Sequence, residues 1–265
     1  MPSPENSGAV SSGKAGPPSS AGVDLSHRAD LVEMMDQPCS YEELRGCLHD
    51  IARVNRLTFA YRPTISWMDE LIATHPPSSG PLRVVDVGCG DGDMLRRLDA
   101  WAAKRGVPIA LTGIDVNTDA IRAAREATPP ARPIDQEIDR RIEWIVGDAL
   151  SNAVTGEIDV VICSLLTHHL TDPEIVQFLQ WTERTTRRGW FVNDLHRKAV
   201  PYHLFRLWAR FTNWHPFVKN DGAVSIRRSF VAEDWHRLCA AAGLDAKAVA
   251  IKEYRPARLC VGRIK

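Results

Sequence analysis

The sequence predicts an α/β fold in which helices cover both faces of a mainly parallel sheet. Two observations predict it. From Leu82 onward, short β-branched apolar runs alternate with segments of helical period. The first run, residues 84–87, enters a turn with glycines at 88, 90 and 92, and the chain passes at once into helix-forming sequence. A strand without polar alternation reads as buried on both faces, as parallel sheets require.

Residues 1–23 are rich in Ser, Gly, Pro and Ala and read as a disordered leader. Residues 24–81 read as an N-terminal helical cap. Ser40 and Glu43 form a capping box, and Leu44, Cys47, Leu48, Ile51 and Val54 follow at helical spacing. Pro63 interrupts this pattern. A second helix over about 64–73 carries Ile65, Trp67, Met68, Leu71 and Ile72, and a proline-rich linker over 75–81 leads to the glycine turn. Residues 82–265 read as one α/β domain. Strands are expected at 109–114, 142–146, 158–163 and 190–192, and helices at 94–103, 118–126 and 172–185. Pro129, Pro130 and Pro133 mark a loop. A late helix over 230–242 stops at Gly243. Two strands, 246–254 and 258–264, close the chain. Residues 197–229 break the alternation. Leu204, Phe205, Leu207, Trp208, Phe211 and Trp214 lie largely on one helical face there, with Arg206 and Arg210 off it.

The glycine turn is the chemically informative stretch. Gly88, Gly90 and Gly92 permit close backbone approach, and a helix N-terminus behind them suits an anionic group. Asp86, two residues before the first glycine, suits a ligand that carries a positive charge as well as a carboxylate. A dinucleotide fold wants G-x-G-x-x-G, but Asp93 stands where its third glycine would fall. The order from Asp86 to Gly92 is D-x-G-x-G-x-G, which resembles the first motif of the class I S-adenosylmethionine-dependent methyltransferases at every position.

That resemblance covers about residues 82–265. It implies a Rossmann-like, doubly wound sheet of seven strands whose last strand is antiparallel, with N-terminal helices and a helical lid inserted after strand 5. It implies S-adenosylmethionine as cofactor. Asp115, at the end of the second strand, would grip the ribose hydroxyls, and Val116 would pack on adenine. The Gly147-Asp148-Ala149 stretch is similar to the family's third motif, in which the aspartate side chain and the next N–H meet the adenine. Read alone, Asp115 says only nucleoside, and Gly147-Asp148 says only turn.

Strand ends four and five bear on the reaction. Methyl transfer is an in-line displacement, so the enzyme chiefly aligns nucleophile, methyl and sulfur. A phenol at neutral pH keeps its proton, and histidine is the base suited to that pH. His168 and His169 follow the fourth strand. Asn193, Asp194, His196 and Arg197 end the fifth. His196, oriented by Asp194, is the first choice as base, ahead of His168 and His169. Arg197 is expected to pair with a carboxylate. Packing beside the cofactor, with no part in catalysis, is the competing role for each of these groups. Ser164-Leu165-Leu166-Thr167 lacks the paired prolines of enzymes that methylate base amino groups.

The reading is therefore O-methylation of a small, apolar, phenolic acceptor. C- or N-methylation of another small molecule, a NAD(P)-dependent oxidoreductase and a non-catalytic S-adenosylmethionine-binding module are the alternatives. The aromatic insertion is read as a lid, with core packing or an interfacial helix at a membrane as its other uses. Tyr61 and Arg62 are expected to close the far side of the pocket. Lysine plus arginine equal aspartate plus glutamate at 33 each, which gives no electrostatic case for a nucleic-acid partner. No apolar run is long enough for a membrane span. The six cysteines lack C-x-x-C spacing, so no metal site is expected and a reducing cytoplasm fits. No sequence feature sets an oligomeric state.

Overall fold

A computed structural model describes residues 23–76, 80–128, 142–151 and 156–265. Residues 1–22 of the leader expected over 1–23, part of the linker and the loop with Pro129, Pro130 and Pro133 lie outside the described residues. The first helix, α1 (Tyr41–Leu57), starts where the capping box places it. Ser40 N donates to Glu43 at 2.9 Å and Glu43 N donates to Ser40 Oγ at 3.3 Å. Helix α2 (Arg62–Thr74) begins two residues earlier than expected. Pro63 occupies its first turn, where a missing N–H costs nothing.

The sheet then follows the predicted alternation: β1 (Leu82–Val87), α3 (Asp93–Arg105), β2 (Ile109–Asp115), α4 (Thr118–Ala127), β3 (Glu143–Val146), β4 (Ile158–Ser164), α5 (Asp172–Thr185) and β5 (Thr186–Leu195). Two insertion helices, α6 (Ala199–Ala209) and α7 (Pro216–Arg228), precede α8 (Ala232–Ala241), β6 (Ala250–Tyr254) and β7 (Arg258–Ile264). The strand order is β3-β2-β1-β4-β5-β7-β6. Strands β1 to β5 are parallel, and β7 runs antiparallel to both β5 and β6. Among the described residues, no helix is long and apolar enough to cross a membrane.

Alternate residues of the central strands feed two cores. Val85, Val161, Trp190 and Val192 pack with Phe178, Trp235 and Leu238 on the α5/α8 face. Val84, Val160, Ile162 and Phe191 pack with Trp67, Met68, Leu95 and Leu98 on the α2/α3 face. Each buried side chain of this kind contributes about 1.5–3 kcal/mol, so the strands need apolar residues on both sides.

Other elements also differ from expectation. Strand β5 runs from Thr186 to Leu195, not just 190–192. Its polar residues hide it: Asn193 and Asp194 are wholly buried and hydrogen-bonded. Gly189 permits the approach of β7, since a Cβ there would stand 2.2 Å from the Arg263 carbonyl oxygen. Strand β6 starts at Ala250, because an Asp245 turn occupies the preceding residues through Ala248 N to Asp245 O at 3.0 Å. The insertion is two helices, with Pro216 starting the second.

Candidate active site

One cavity of about 1500 Å³ opens at the carboxyl ends of the strands, under α1, α6 and α7. Its cofactor end is the glycine turn. Gly88, Gly90 and Gly92 all take left-handed φ values, 69°, 55° and 75°. Backbone N–H groups of Gly88 and Cys89 donate to Ile114 O at 2.9 and 3.2 Å, tying the turn to β2. Gly90 N donates to Asp115 Oδ2 at 3.0 Å, and Asn117 N to Asp115 Oδ1 at 2.9 Å. Asp115 therefore braces the turn while facing the cavity. The N-cap of α4 is Asn117, so Asp115 is free of that task.

Asp86, Gly88, Gly90, Asp115, Val116, Asp148 and Ala149 all line the cavity. Gly92 does not. It caps α3 beneath Trp144, whose ring lies 2.1 Å from where a Cβ would stand, and its role is to make the turn. Asp86 is buried, and its Oδ1 has no hydrogen-bond partner. Burial, then the charges of Asp93 and Asp115, push its pKa well above the usual carboxylate range. Asp91, a cavity residue not anticipated from the sequence, is raised to about 6 by burial and then Asp93.

The other polar end lies where β4 and β5 finish. Asp194 accepts from His168 Nδ1 at 2.7 Å, from His168 N at 3.1 Å, from Leu195 N at 2.7 Å and from the Thr167 hydroxyl. Burial alone would raise its pKa. The His168 charge and these hydrogen bonds override that and hold it well below the usual range. His169 Nδ1 lies 3.1 Å from Asp36. Glu33 faces both rings, 3.6 Å from His168 Nε2 and 3.8 Å from His169 Nε2. Burial raises Glu33 to about 7 against the charges of His169 and Arg228. Glu33, Asp36, His168 and His169 all line the cavity.

His196 is corrected. It lies outside the cavity lining, its N–H bonds Ala257 O at 2.9 Å, and its buried Nδ1 has no hydrogen-bond partner. The histidine beside Asp194 is His168. Arg197 pairs with Asp234 at 3.0 Å, as expected of it. Asn193 is spent on Ala60 O and Thr64 Oγ1, at 2.8 and 3.1 Å. Tyr61 and Arg62 are outside the lining. Leu57, Thr58 and Phe59 stand there instead, while the Tyr61 hydroxyl bonds Asp93. The expectation of no metal site did not anticipate Glu33, His168 and His169, whose ligand atoms lie within 4.8 Å of one another. Glu33 and Asp36 sit in a segment without helical or strand period, so no sequence signal marked them.

Residues 84–189 match the methyltransferase domain family. They hold the glycine turn and strands β1 to β4. That match covers about two fifths of the chain, and methyltransferase relatives and the strand order agree with it. The chain is a class I S-adenosylmethionine-dependent methyltransferase. A ubiquinone biosynthesis O-methyltransferase of Thiobacillus denitrificans is 28% identical over 195 residues, covering 72% of this methyltransferase and 75% of the relative. An indolepyruvate C-methyltransferase of Streptomyces griseus is 34% identical over 41% of this chain and 31% of its own. The crystal structure of the plantazolicin methyltransferase BamL, with S-adenosylhomocysteine and a triazolic desmethylPZN analog, shares the fold at TM-score 0.58. It is 15% identical and covers 85% of this chain and 97% of its own. The donor set of this methyltransferase fits the cofactor: an orphaned buried carboxylate at Asp86, a glycine cradle, and Asp115 facing the same cavity.

Proposed function

We propose that this methyltransferase O-methylates a small, apolar, phenolic acceptor. The observation that carries the reading is the pair His168 and His169 at one end of a largely apolar cavity whose other end is the glycine turn. The name of the Thiobacillus relative supports O-methylation. The Streptomyces relative keeps C-methylation as the second reading. Leu57, Phe59, Val200, Leu204, Leu207 and Phe211 are exposed, line the cavity and give an apolar acceptor its way in.

S-adenosylmethionine, when bound, supplies an electrophilic methyl group. Asp86 would hold its ammonium group, Asp115 its ribose hydroxyls, and Val116, Asp148 and Ala149 its adenine. At the acceptor end, Asp194 holds the Nδ1 proton of His168 and leaves Nε2 as the basic nitrogen. Asp36 does the same for His169. The imidazole pair takes up the demand of the hydroxyl proton as the oxygen becomes the nucleophile.

A homologous series of alkyl phenols and catechols tests the reading. Each methylene that enters the apolar cavity contributes about 0.8 kcal/mol, so KM falls about fourfold per carbon until the cavity is filled. A KM indifferent to chain length, or no turnover across the series, contradicts an apolar phenolic acceptor.

Cofactor binding depends on pH with a defined sign. In the empty site burial raises Asp86, and raises Asp91 to about 6. The cofactor ammonium, with an ordinary pKa near 8, stays charged below neutrality. It pairs with ionised Asp86, so binding expels a proton wherever Asp86 holds one. The affinity for S-adenosylhomocysteine then rises with pH, by up to about tenfold per unit, through the range in which Asp86 of the empty site loses its proton. Calorimetry in buffers of different ionisation enthalpy reads the released proton. Proton uptake, or an affinity that falls with pH, contradicts the assignment of Asp86.

A further inference from the structure

We propose that Glu33, His168 and His169 bind a divalent first-row transition-metal ion, and that the acceptor oxygen completes its coordination. The metal site stands on its own geometry. The role of the acceptor oxygen rests on the O-methylation reading.

Three observations carry the site. First, the two Nε2 atoms converge on one carboxylate from 3.6 and 3.8 Å. These gaps are too long for hydrogen bonds. They are close to the separation of about 3.4 Å that two ligands of a tetrahedral zinc ion take at bond lengths of 2.0–2.2 Å. Second, each Nδ1 is held by its own aspartate, His168 by Asp194 at 2.7 Å and His169 by Asp36 at 3.1 Å. A carboxylate behind each imidazole fixes the tautomer and aims the Nε2 lone pair, as around metal-ligating histidines. Third, acidic groups gather around the two imidazoles. Glu33, Asp36 and Asp194 are three carboxylates, and the guanidinium of Arg228 pairs with the first two. Arg228 also bonds the carbonyls of His168 and His169 at 3.2 and 3.3 Å, so it braces the backbone of both histidines.

Two imidazoles and one carboxylate suit zinc, iron(II) or cobalt(II) over magnesium or calcium. Three protein ligands leave a coordination place open, and all three line the cavity. With both Nε2 lone pairs on the ion, the ion takes over from the imidazoles as the group that activates the acceptor: its hydroxyl gives its proton to solvent and its oxygen to the ion. The O–C bond then forms as the C–S bond breaks, and sulfur keeps the electron pair.

The test titrates metal-free full-length protein with zinc(II) and cobalt(II), and with magnesium(II) as the control. Calorimetry and the cobalt ligand-field absorption are the readouts. The expected result is one zinc per chain at micromolar affinity or tighter, with a tetrahedral or five-coordinate cobalt spectrum. Asp36→Asn, at a half-exposed residue, weakens the metal about 10–100-fold, and His169→Ala abolishes the cobalt spectrum. No saturable binding, or binding that ignores both substitutions, overturns the proposal. Full turnover of chelated, metal-free enzyme also overturns it and leaves O-methylation standing. Metal bound at these residues with no acceptor turned over contradicts O-methylation and leaves the metal site standing.

Discussion

Asp194→Asn lowers kcat by about 10²–10⁴-fold, the range expected when an imidazole that activates the nucleophile loses its orienting carboxylate. Asp194 touches neither the cofactor turn nor the open part of the cavity, and is wholly buried behind His168. Its effect is therefore on positioning. The amide presents an N–H₂ or a weaker acceptor to His168 Nδ1, which frees the wrong tautomer and turns the ring. KM and the S-adenosylhomocysteine affinity stay within a fewfold of wild type, while kcat falls. A proportional loss of kcat and cofactor affinity would mean that Asp194 serves the fold alone. His196→Ala is the companion variant. With its ring outside the cavity, it leaves kcat within about threefold, an effect below 0.7 kcal/mol.

Asp115→Ala weakens S-adenosylhomocysteine binding about 100-fold. Hydrogen bonds to a charged acceptor are worth about 1.5–3 kcal/mol each, and a ribose offers two hydroxyls, so about 3 kcal/mol is a conservative total. The substitution also frees Gly90 N and Asn117 N, which Asp115 holds at 3.0 and 2.9 Å. Asp115→Asn keeps one acceptor oxygen and loses about tenfold. Calorimetry on both variants, with circular dichroism to confirm folding, reads the difference. An unchanged affinity in the alanine variant would remove Asp115 from the cofactor site.

The cofactor half of the site was legible because its constraints are local. A turn with three left-handed residues demands glycine at 88, 90 and 92 whatever surrounds it. Asp86, Asp115 and Asp148 sit beside strand ends that periodicity alone locates. The acceptor half was legible only in part. His168 and His169 were visible beside β4, but the ranking of His196 above them failed. His196 and Asp194 are near in sequence, while His168 and Asp194 are 26 residues apart and meet only because β4 and β5 are neighbours. The polar residues of β5 also concealed its length, and with it the direction in which each side chain points. Glu33 immediately precedes and Asp36 ends a short 3₁₀ turn, Met34–Asp36, before α1, and Arg228 comes from the last turn of α7. Only tertiary packing brings them to the histidines. Pro63 shows the reverse case, in which a residue read as a breaker sits in the first turn of the helix it was thought to delay.

The most direct test of the account is transfer of a trideuteromethyl group from labelled S-adenosylmethionine to a long-chain alkyl catechol, followed by mass spectrometry and NMR of the product. The account predicts one labelled methyl on a phenolic oxygen and one equivalent of S-adenosylhomocysteine, with Asp194→Asn forming the same product far more slowly. A label found on carbon, or saturable S-adenosylhomocysteine binding with no transfer to any phenol, would contradict it.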